Sequence, residues 1–197
     1  MNWVPRYFLL RAQAIALLLL GKKRAALYRF DALLRLAPSD RYAMASRAHL
    51  LAELGDKGEA IVAFEALTSA HPGDAVAWFN LAYMLADAGR QEQAEPAFLR
   101  AISIEPAMDR AWYGLALLLI CQRRLDEAVS ALQRNTELQP MSPFGWYQLA
   151  RVQIDRKAPV EAIKIMRHLQ GFEPRVAAQL ERETGLRLAA PLGIEGA

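Results

Sequence analysis

Three histidines and one cysteine are the side chains of this chain best suited to bind a transition metal or, for the cysteine, to act as a nucleophile. His49, His71 and His168 are far apart in the sequence, and none has a companion cysteine or carboxylate cluster at the spacing of a metal site. Cys121 follows an apolar run at the end of a predicted helix, with no histidine near it in sequence to activate the thiol. The sequence also contains no glycine-rich phosphate loop. We therefore expect no enzyme, no catalytic residue, no metal site and no cofactor.

The charge of the chain is unevenly distributed. The 197 residues carry a net charge of +3, which is too small to indicate binding to nucleic acid. Seven basic residues and one acid lie in residues 1–35, so this segment carries +6 and the remainder −3. Arginine outnumbers lysine by 19 to 5 in a chain rich in alanine and leucine, which indicates a bacterial source. The basic character is therefore a property of the N-terminal segment.

A six-residue motif recurs at a constant interval. It is AWFNLA at 77–82, AWYGLA at 111–116 and GWYQLA at 145–150, so each copy is displaced by 34 residues. Alanine stands at the eighth and twentieth positions, and proline at the thirty-second, of five units that follow one another without an insertion. The units are residues 7–40, 41–74, 75–108, 109–142 and 143–176. A constant period of this length indicates an array of structural repeats.

Each unit has the pattern of two helices joined by a turn. In the third unit, Trp78, Leu81, Ala82 and Leu85 recur at the spacing of one apolar helical face, and a second such face follows in residues 94–101. The segment between them contains Gly89, a residue suited to the left-handed conformation after a helix. The alanines are expected where two helix backbones approach closely, and the proline where the second helix stops. In the fifth unit, lysine 157 replaces the turn glycine.

This pattern of tryptophan, leucine, small residues, alanine, aromatic and proline resembles the tetratricopeptide repeat family (TPR) over residues 7–176. The resemblance implies an all-α fold, an α-solenoid of antiparallel helix pairs (the TPR superhelix). An amphipathic capping helix is expected at 177–185, to close the last core face, and a flexible tail at 186–197. The resemblance also implies a non-catalytic scaffold or adaptor whose concave groove binds a protein or peptide partner. The groove loosely resembles those of secretion chaperones, so an assembly factor or a chaperone-like module is expected.

In the resemblance, the second, fifth, sixth, ninth and twelfth residues of each first helix point into the groove. The predicted peptide-binding residues are an aromatic strip with two arginines and several polar groups, since aromatics give large contact area and arginine pairs with carboxylates. They are Tyr42, His49, Phe79, Asn80, Tyr83, Arg110, Tyr113, Leu117, Phe144, Tyr147, Gln148 and Arg151. An alternative remains open, because an aromatic at the fifth position is common in the family and serves there as part of the scaffold.

The first helix is too apolar for a helix packed on one side only. The run from Tyr7 to Leu20 is 14 residues long and is interrupted by Arg11 and Gln13, so it is expected neither to span a membrane nor to be a cleaved signal. Residues 1–5 are expected to supply no preceding helix. The predicted N-terminal interface consists of Phe8, Ile15, Leu18, Leu19, Lys22, Lys23 and Arg24.

Three partners remain open for residues 7–24: a second copy of the chain, a membrane protein, or a bilayer surface attracted by the basic residues. Two classes of function follow. The chain is either an adaptor that binds its partner in the groove, or a permanent structural subunit of a membrane-associated or oligomeric complex docked through the apolar helix. The expected location is cytoplasmic, with a peripheral position at the inner membrane as the open alternative.

Overall fold

The structure, a computed structural model, describes residues 3–188. Eleven α-helices, and no strand, lie in this part of the chain, which confirms the predicted all-α class. Residues 189–197 of the predicted flexible tail lie outside the described residues. The helices are α1 (Trp3–Leu19), α2 (Lys23–Leu36), α3 (Arg41–Leu54), α4 (Lys57–Ala70), α5 (Ala75–Asp87), α6 (Gln91–Ile104), α7 (Asp109–Cys121), α8 (Leu125–Leu138), α9 (Pro143–Asp155), α10 (Pro159–Phe172) and α11 (Pro174–Thr184).

The helices are grouped in two compact units, Met1–Pro106 and Ala107–Ala197. In the first unit, each of α1 to α5 packs on the helix that follows it. In the second unit, α7 to α11 pack in the same order, and α11 also contacts α9. Consecutive helices therefore form the hairpins that the sequence predicts, within each unit.

Alanine lies at the contact between the two helices of every pair. The eighth-position and twentieth-position alanines of all five repeats are inaccessible to solvent. Only a residue this small allows two helix backbones to approach so closely. Next to them lies one large buried side chain in each second helix, at most 1% exposed: Phe30, Phe64, Phe98, Leu132 or Met166. This pairing of small and large residues forms the core.

The second helix of each repeat ends two residues before the repeating proline. The five residues that precede the prolines are C-caps with φ between −129° and −137°. The ring of a proline disfavours the helical conformation in the residue before it. Each repeating proline therefore ends the preceding helix, because it forces the C-cap residue out of the helical conformation.

The turn inside each helix pair requires a left-handed residue. Gly21, Gly55 and Gly89 have φ of 68°, 87° and 75°, as the glycine position predicts. Arg123 and Lys157 occupy the same repeat position in the last two repeats, and both have φ of 61°. The turn therefore keeps its conformation without glycine, at a cost of roughly 1–2 kcal/mol for each side chain.

Both ends of the described chain differ from the predicted bounds. α1 begins at Trp3, four residues before the predicted start of the first repeat, because Pro5 lies in the first turn, where its missing N–H is not needed. α11 begins at Pro174 instead of residue 177, for the same reason. It ends at Thr184, and the C-cap Gly185 that follows has φ of 72°. No helix of the described residues is long and apolar enough to cross a membrane.

A buried asparagine marks one repeat junction of the second unit. Asn135 of α8 is 6% exposed, and its Nδ2 donates to the carbonyl oxygen of Asp109 at 2.9 Å. Its Oδ1 lies 2.2 Å from the place that a β-carbon on Gly145 of α9 would occupy. At the two equivalent junctions of the first unit, Ala43 and Ala77 stand in place of Gly145, and Leu33 and Leu67 stand in place of the asparagine. Glycine at 145 therefore makes room for the asparagine side chain.

We predict that Gly145→Ala has opposite effects in two backgrounds. In the natural chain the added methyl group collides with Asn135, and overpacking of this kind costs about 1–3 kcal/mol. In an Asn135→Ala background the same change should be neutral or stabilising, because alanine favours a helix over glycine by about 1 kcal/mol. Urea unfolding monitored by circular dichroism measures both effects.

The control for this cycle is Gly58→Ala in α4, where a new β-carbon meets nothing within 4 Å and should stabilise the helix in both backgrounds. Equal effects of Gly145→Ala with and without Asn135 would contradict the proposed contact.

Candidate functional site

A pocket in the first unit brings together four of the predicted groove residues. Its walls come from α3 and α5 and its floor from α4, and its volume is about 290 Å³. We call it the α3–α5 pocket, and its lining residues are His49, Ala52, Phe64, Phe79, Asn80, Tyr83 and Met84. The predicted groove spacing therefore places His49, Phe79, Asn80 and Tyr83 around one cavity.

The interior of the α3–α5 pocket is mostly apolar. Phe64 is 1% exposed, and the ring of His49 meets it edge-on, with 5.2 Å between the ring centroids. Phe79 leans on the buried Phe98 at 6.2 Å. Tyr83 is 60% exposed and stands at the mouth. Phe79 is thus partly a scaffold residue, as the alternative interpretation of the fifth position holds, whereas Tyr83 is available for contact.

One hydrogen bond joins the two polar side chains of the α3–α5 pocket. Asn80 Nδ2 lies 3.3 Å from His49 Nε2, so the amide donates when the imidazole is neutral and carries its proton on Nδ1. Desolvation lowers the pKa of His49, and the nearby charge of Glu53 opposes this in part. Burial therefore favours the neutral form of the ring, the form in which Nε2 can accept from Asn80.

Tyr42 lies outside this pocket and already has contacts within the chain. The guanidinium of Arg11 lies 4.7 Å above the centre of its ring, and Phe30 packs against it at 5.9 Å. A cation–π contact of this kind orients the tyrosine. A second, larger depression of about 560 Å³ lies beside Asp74, and two of its charged groups, Asp74 and Arg41, bind each other at 2.6 Å.

In the second unit, α11 contacts two of the predicted groove residues. Glu183 Oε2 accepts from Tyr147 Oη at 2.6 Å and from Arg151 Nη1 at 2.9 Å, and Gln179 Nε2 donates to the other carboxylate oxygen at 2.7 Å. The bond to Glu183 raises the pKa of Tyr147, and the bonds from Tyr147, Gln179 and Arg151 lower the pKa of Glu183. Tyr147 and Arg151 are therefore bound to a carboxylate of the chain itself.

α11 also completes a smaller pocket beside this network. Its volume is about 250 Å³, and it is lined by Pro143, Phe144, Tyr147, Val176 and Gln179. The sequence does not single out Gln179 and Glu183, because its pattern predicts only a capping role for this helix. Their spacing of four residues on an amphipathic helix was the available signal.

The other predicted groove residues lie outside both pockets. Tyr113, Leu117 and Gln148 are half-buried on α7 and α9, whereas Arg110 is exposed on α7. Cys121 is exposed at the end of α7. Within residues 3–188, no group of three histidine, cysteine, aspartate or glutamate side chains could hold a metal ion.

The packing of α1 partly buries one residue of the predicted N-terminal interface and leaves the others exposed. Leu18 is half-buried against the core of the first helix pair, so it does not belong to the exposed surface. Lys22, Lys23 and Arg24 are exposed in the turn and at the start of α2, and Lys23 Nζ binds Glu53 at 3.1 Å. We call the exposed apolar surface the α1 face, and its residues are Val4, Phe8, Leu9, Ile15, Leu19 and Leu20.

Comparisons with known proteins agree on the repeat. A family model described as tetratricopeptide repeat matches residues 11–74, 46–109 and 92–143. A crystal structure of MamA protein is 15% identical, with a TM-score of 0.81, and the match covers 96% of this chain and 100% of that chain. MamA 41-end from Desulfovibrio magneticus RS-1 is 21% identical, with a TM-score of 0.76 and coverages of 91% and 97%.

A third solved structure, of YrrB, is described as a TPR protein with an unusual peptide-binding site. It is 20% identical, with a TM-score of 0.74, and the match covers 86% of this chain and 88% of that chain. Identities this low establish a common fold and nothing further. The comparison with curated protein sequences gave no match.

We predict that His49 makes the first unit less stable below neutral pH. Its pKa in the fold lies below the value of about 6.5 in an unfolded chain, so the unfolded chain takes up the proton first. The contribution of the neutral His49 ring to the free energy of unfolding is complete above about pH 6.5. It is lost as the pH falls through the pKa of His49 in the folded chain. The melting temperature should therefore fall between about pH 7.5 and about pH 5.5, and His49→Gln should reduce that fall. An equal fall in both proteins would contradict this role of His49.

Proposed function

Because the chain belongs to the tetratricopeptide repeat family, we propose that it is a non-catalytic scaffold that binds a segment of a partner protein on its first helices. The partner is an extended or helical peptide segment with at least one apolar anchor. In the cell the scaffold acts as an adaptor of the assembly-factor or chaperone-like kind.

The observation that carries this proposal is the α3–α5 pocket. It combines an apolar interior of about 290 Å³ with a rim that holds one tyrosine, one amide and one imidazole. Small, mostly apolar cavities with a few convergent polar groups are typical of binding sites. The volume suits an apolar side chain of a partner rather than a large cofactor.

The lining residues have distinct roles in this proposal. Phe64, Phe79 and Met84 remove the partner's side chain from water. Tyr83 covers it from the mouth of the pocket, with large contact area and little entropy to lose. Asn80 has further hydrogen-bonding capacity beyond its bond to His49, since an amide has two donors and an acceptor, and this can hold the partner's backbone.

The smaller pocket of the second unit is a weaker candidate for the site that binds the partner's apolar anchor. Arg151 already donates through Nη1 to Glu183, which also accepts from Tyr147 and Gln179. Because the guanidinium charge is already paired, an incoming carboxylate would gain less free energy there than at an unpaired arginine. We therefore assign the anchor to the α3–α5 pocket.

A second candidate function is a permanent structural subunit of a membrane-associated or oligomeric complex. The exposed α1 face favours it, because Phe8 is 61% and Leu19 85% exposed. The two functions differ in stoichiometry. An adaptor releases its partner on dilution, whereas a structural subunit is recovered with its complex at a fixed ratio.

We predict that Tyr83→Ala combined with Tyr113→Ala weakens peptide binding at least about tenfold, or about 1.4 kcal/mol. Most of the loss should come from Tyr83, because it alone of the two lines the α3–α5 pocket. The probe is a peptide selected on the full chain from a random library displayed on phage, and its affinity is measured by fluorescence anisotropy.

The matched control is Tyr28→Ala, which removes a tyrosine that is 73% exposed on α2, outside the pocket. It should leave the affinity and the helical circular dichroism unchanged. If the selected peptide binds the Tyr83→Ala, Tyr113→Ala chain as tightly as the natural one, the pocket is not the site.

A further inference from the structure

The α1 face is a continuous apolar surface on the first helix. Val4, Phe8, Leu9, Ile15 and Leu19 are all exposed, and Leu20 continues the surface into the turn. At 3.6 residues per turn, these side chains fall within about half of the helix circumference, and no charged residue of α1 falls in that sector. A contiguous exposed surface of this kind marks an interaction site rather than scattered exposure.

The opposite side of α1 is held by the rest of the first unit. Leu10 and Ala14 are buried in the core with Phe30 of α2, and Leu17 and Leu18 pack against the same cluster. Tyr7 Oη also donates to Asp40 Oδ2, at the start of α3. α1 is therefore fixed along its length, and only the α1 face is available to a partner.

The α1 face is not shaped to receive another helix pair of the same kind. Leu9 occupies the repeat position of Ala43 and Ala77, which are at most 2% exposed where a preceding helix packs on them. Those junctions require a small residue for close approach of the helices. A leucine in this position disfavours the same close approach of a stacked repeat.

The ion pairs between repeats lead to the same conclusion. Glu53 and Asp87 each bind a lysine of the preceding repeat, at 3.1 Å and 2.6 Å. Leu19 stands at the equivalent position of the first repeat and is 85% exposed. A lysine of a preceding repeat would therefore have no acid to pair with at this position, whereas a hydrocarbon group could pack against Leu19.

The charged residues next to the α1 face are basic. Arg6 borders it along the helix, and Lys22 and Arg24 follow Leu20 directly, all three exposed. Asp31, the one acid among the first 35 residues, binds Arg47 at 2.8 Å. Two copies joined through this face would bring basic groups together without acids of their own to neutralise them, which disfavours a symmetric dimer.

We propose that the α1 face binds the surface of an anionic lipid bilayer. α1 lies parallel to the membrane, with Phe8, Ile15 and Leu19 at the boundary between headgroups and acyl chains and the basic residues among the anionic headgroups. Phe8 and Leu19 are about 16 Å apart along the axis at 1.5 Å per residue, so both insert only when the helix lies flat. This inference gives the second candidate function its partner and is independent of the α3–α5 pocket.

Flotation of the full chain with lipid vesicles tests the proposal. The natural chain should float with vesicles of phosphatidylglycerol and phosphatidylcholine in equal parts and should not float with phosphatidylcholine alone. Raising the salt from about 0.1 M to about 0.5 M should weaken binding, because the Debye length shortens from about 10 Å to about 4 Å. Phe8→Gln with Leu19→Gln should weaken it more than about tenfold.

Matched variants separate the α1 face from general surface effects. Val62→Gln with Leu99→Gln removes two apolar side chains, 57% and 48% exposed on α4 and α6, and should leave flotation unchanged. Lys22→Gln with Arg24→Gln should reduce both binding and its salt dependence, whereas Arg167→Gln with Arg182→Gln, two exposed arginines of the second unit, should not. Tyr83→Ala should retain flotation, since the peptide pocket is a separate site.

Four results would overturn the proposal. They are absence of flotation with anionic vesicles, equal flotation with zwitterionic vesicles, full binding by the Phe8→Gln, Leu19→Gln chain, and a dimer in sedimentation velocity that dissociates when Phe8 and Leu19 are replaced. The last result would assign the α1 face to a second copy of the chain. Thermal melts of each variant verify that the fold is retained, which is expected because both residues are largely exposed.

Discussion

The close approach of paired helices at buried alanines is the interaction on which the rest of the structure depends. Ten alanines, two in each repeat, are inaccessible to solvent, and each pair of them brings two helix backbones together. This contact fixes the rotation of each helix about its axis, and with it the side chains that face the neighbouring pair. A larger side chain at any of these positions would push the helices apart and turn the neighbouring faces.

The α3–α5 pocket is a consequence of the same packing. Phe64 belongs to the core behind the alanines and also forms the floor of the pocket, so part of the binding surface is shared with the interior. Asn80 and Tyr83 contribute to the site without entering the core, because they lie on the exposed side of α5. The chain can therefore vary its rim residues with little effect on stability, whereas its floor residues are constrained by packing.

The outer surfaces of α1 and α11, the two terminal helices of the described chain, differ in polarity. On α11, Glu183 accepts from Tyr147 and Arg151, so these two polar side chains are paired within the chain. α1 instead presents leucine, phenylalanine and isoleucine to solvent beside a basic segment. Exposed apolar area is unfavourable in water, whereas satisfied polar groups are not, so the α1 face is the surface that a partner would stabilise.

The positions of the helices and turns follow from local sequence patterns, whereas the side chains that remain available to a partner depend on how the helices pack. The 34-residue period, the alanine contacts, the left-handed turn at Gly89 and the helix stops before the prolines all depend on local spacing and backbone sterics, which sequence reports directly. His49, Asn80 and Tyr83 stand at groove positions that the family resemblance implies, and the structure brings the three together at one pocket. The sequence pattern does not predict that Leu19 is exposed while the neighbouring Leu18 is half-buried. Nor does it predict the ion pair between Arg151 and Glu183, which are 32 residues apart. These depend on how one helix rests against its neighbours in space, and a linear pattern does not contain that information.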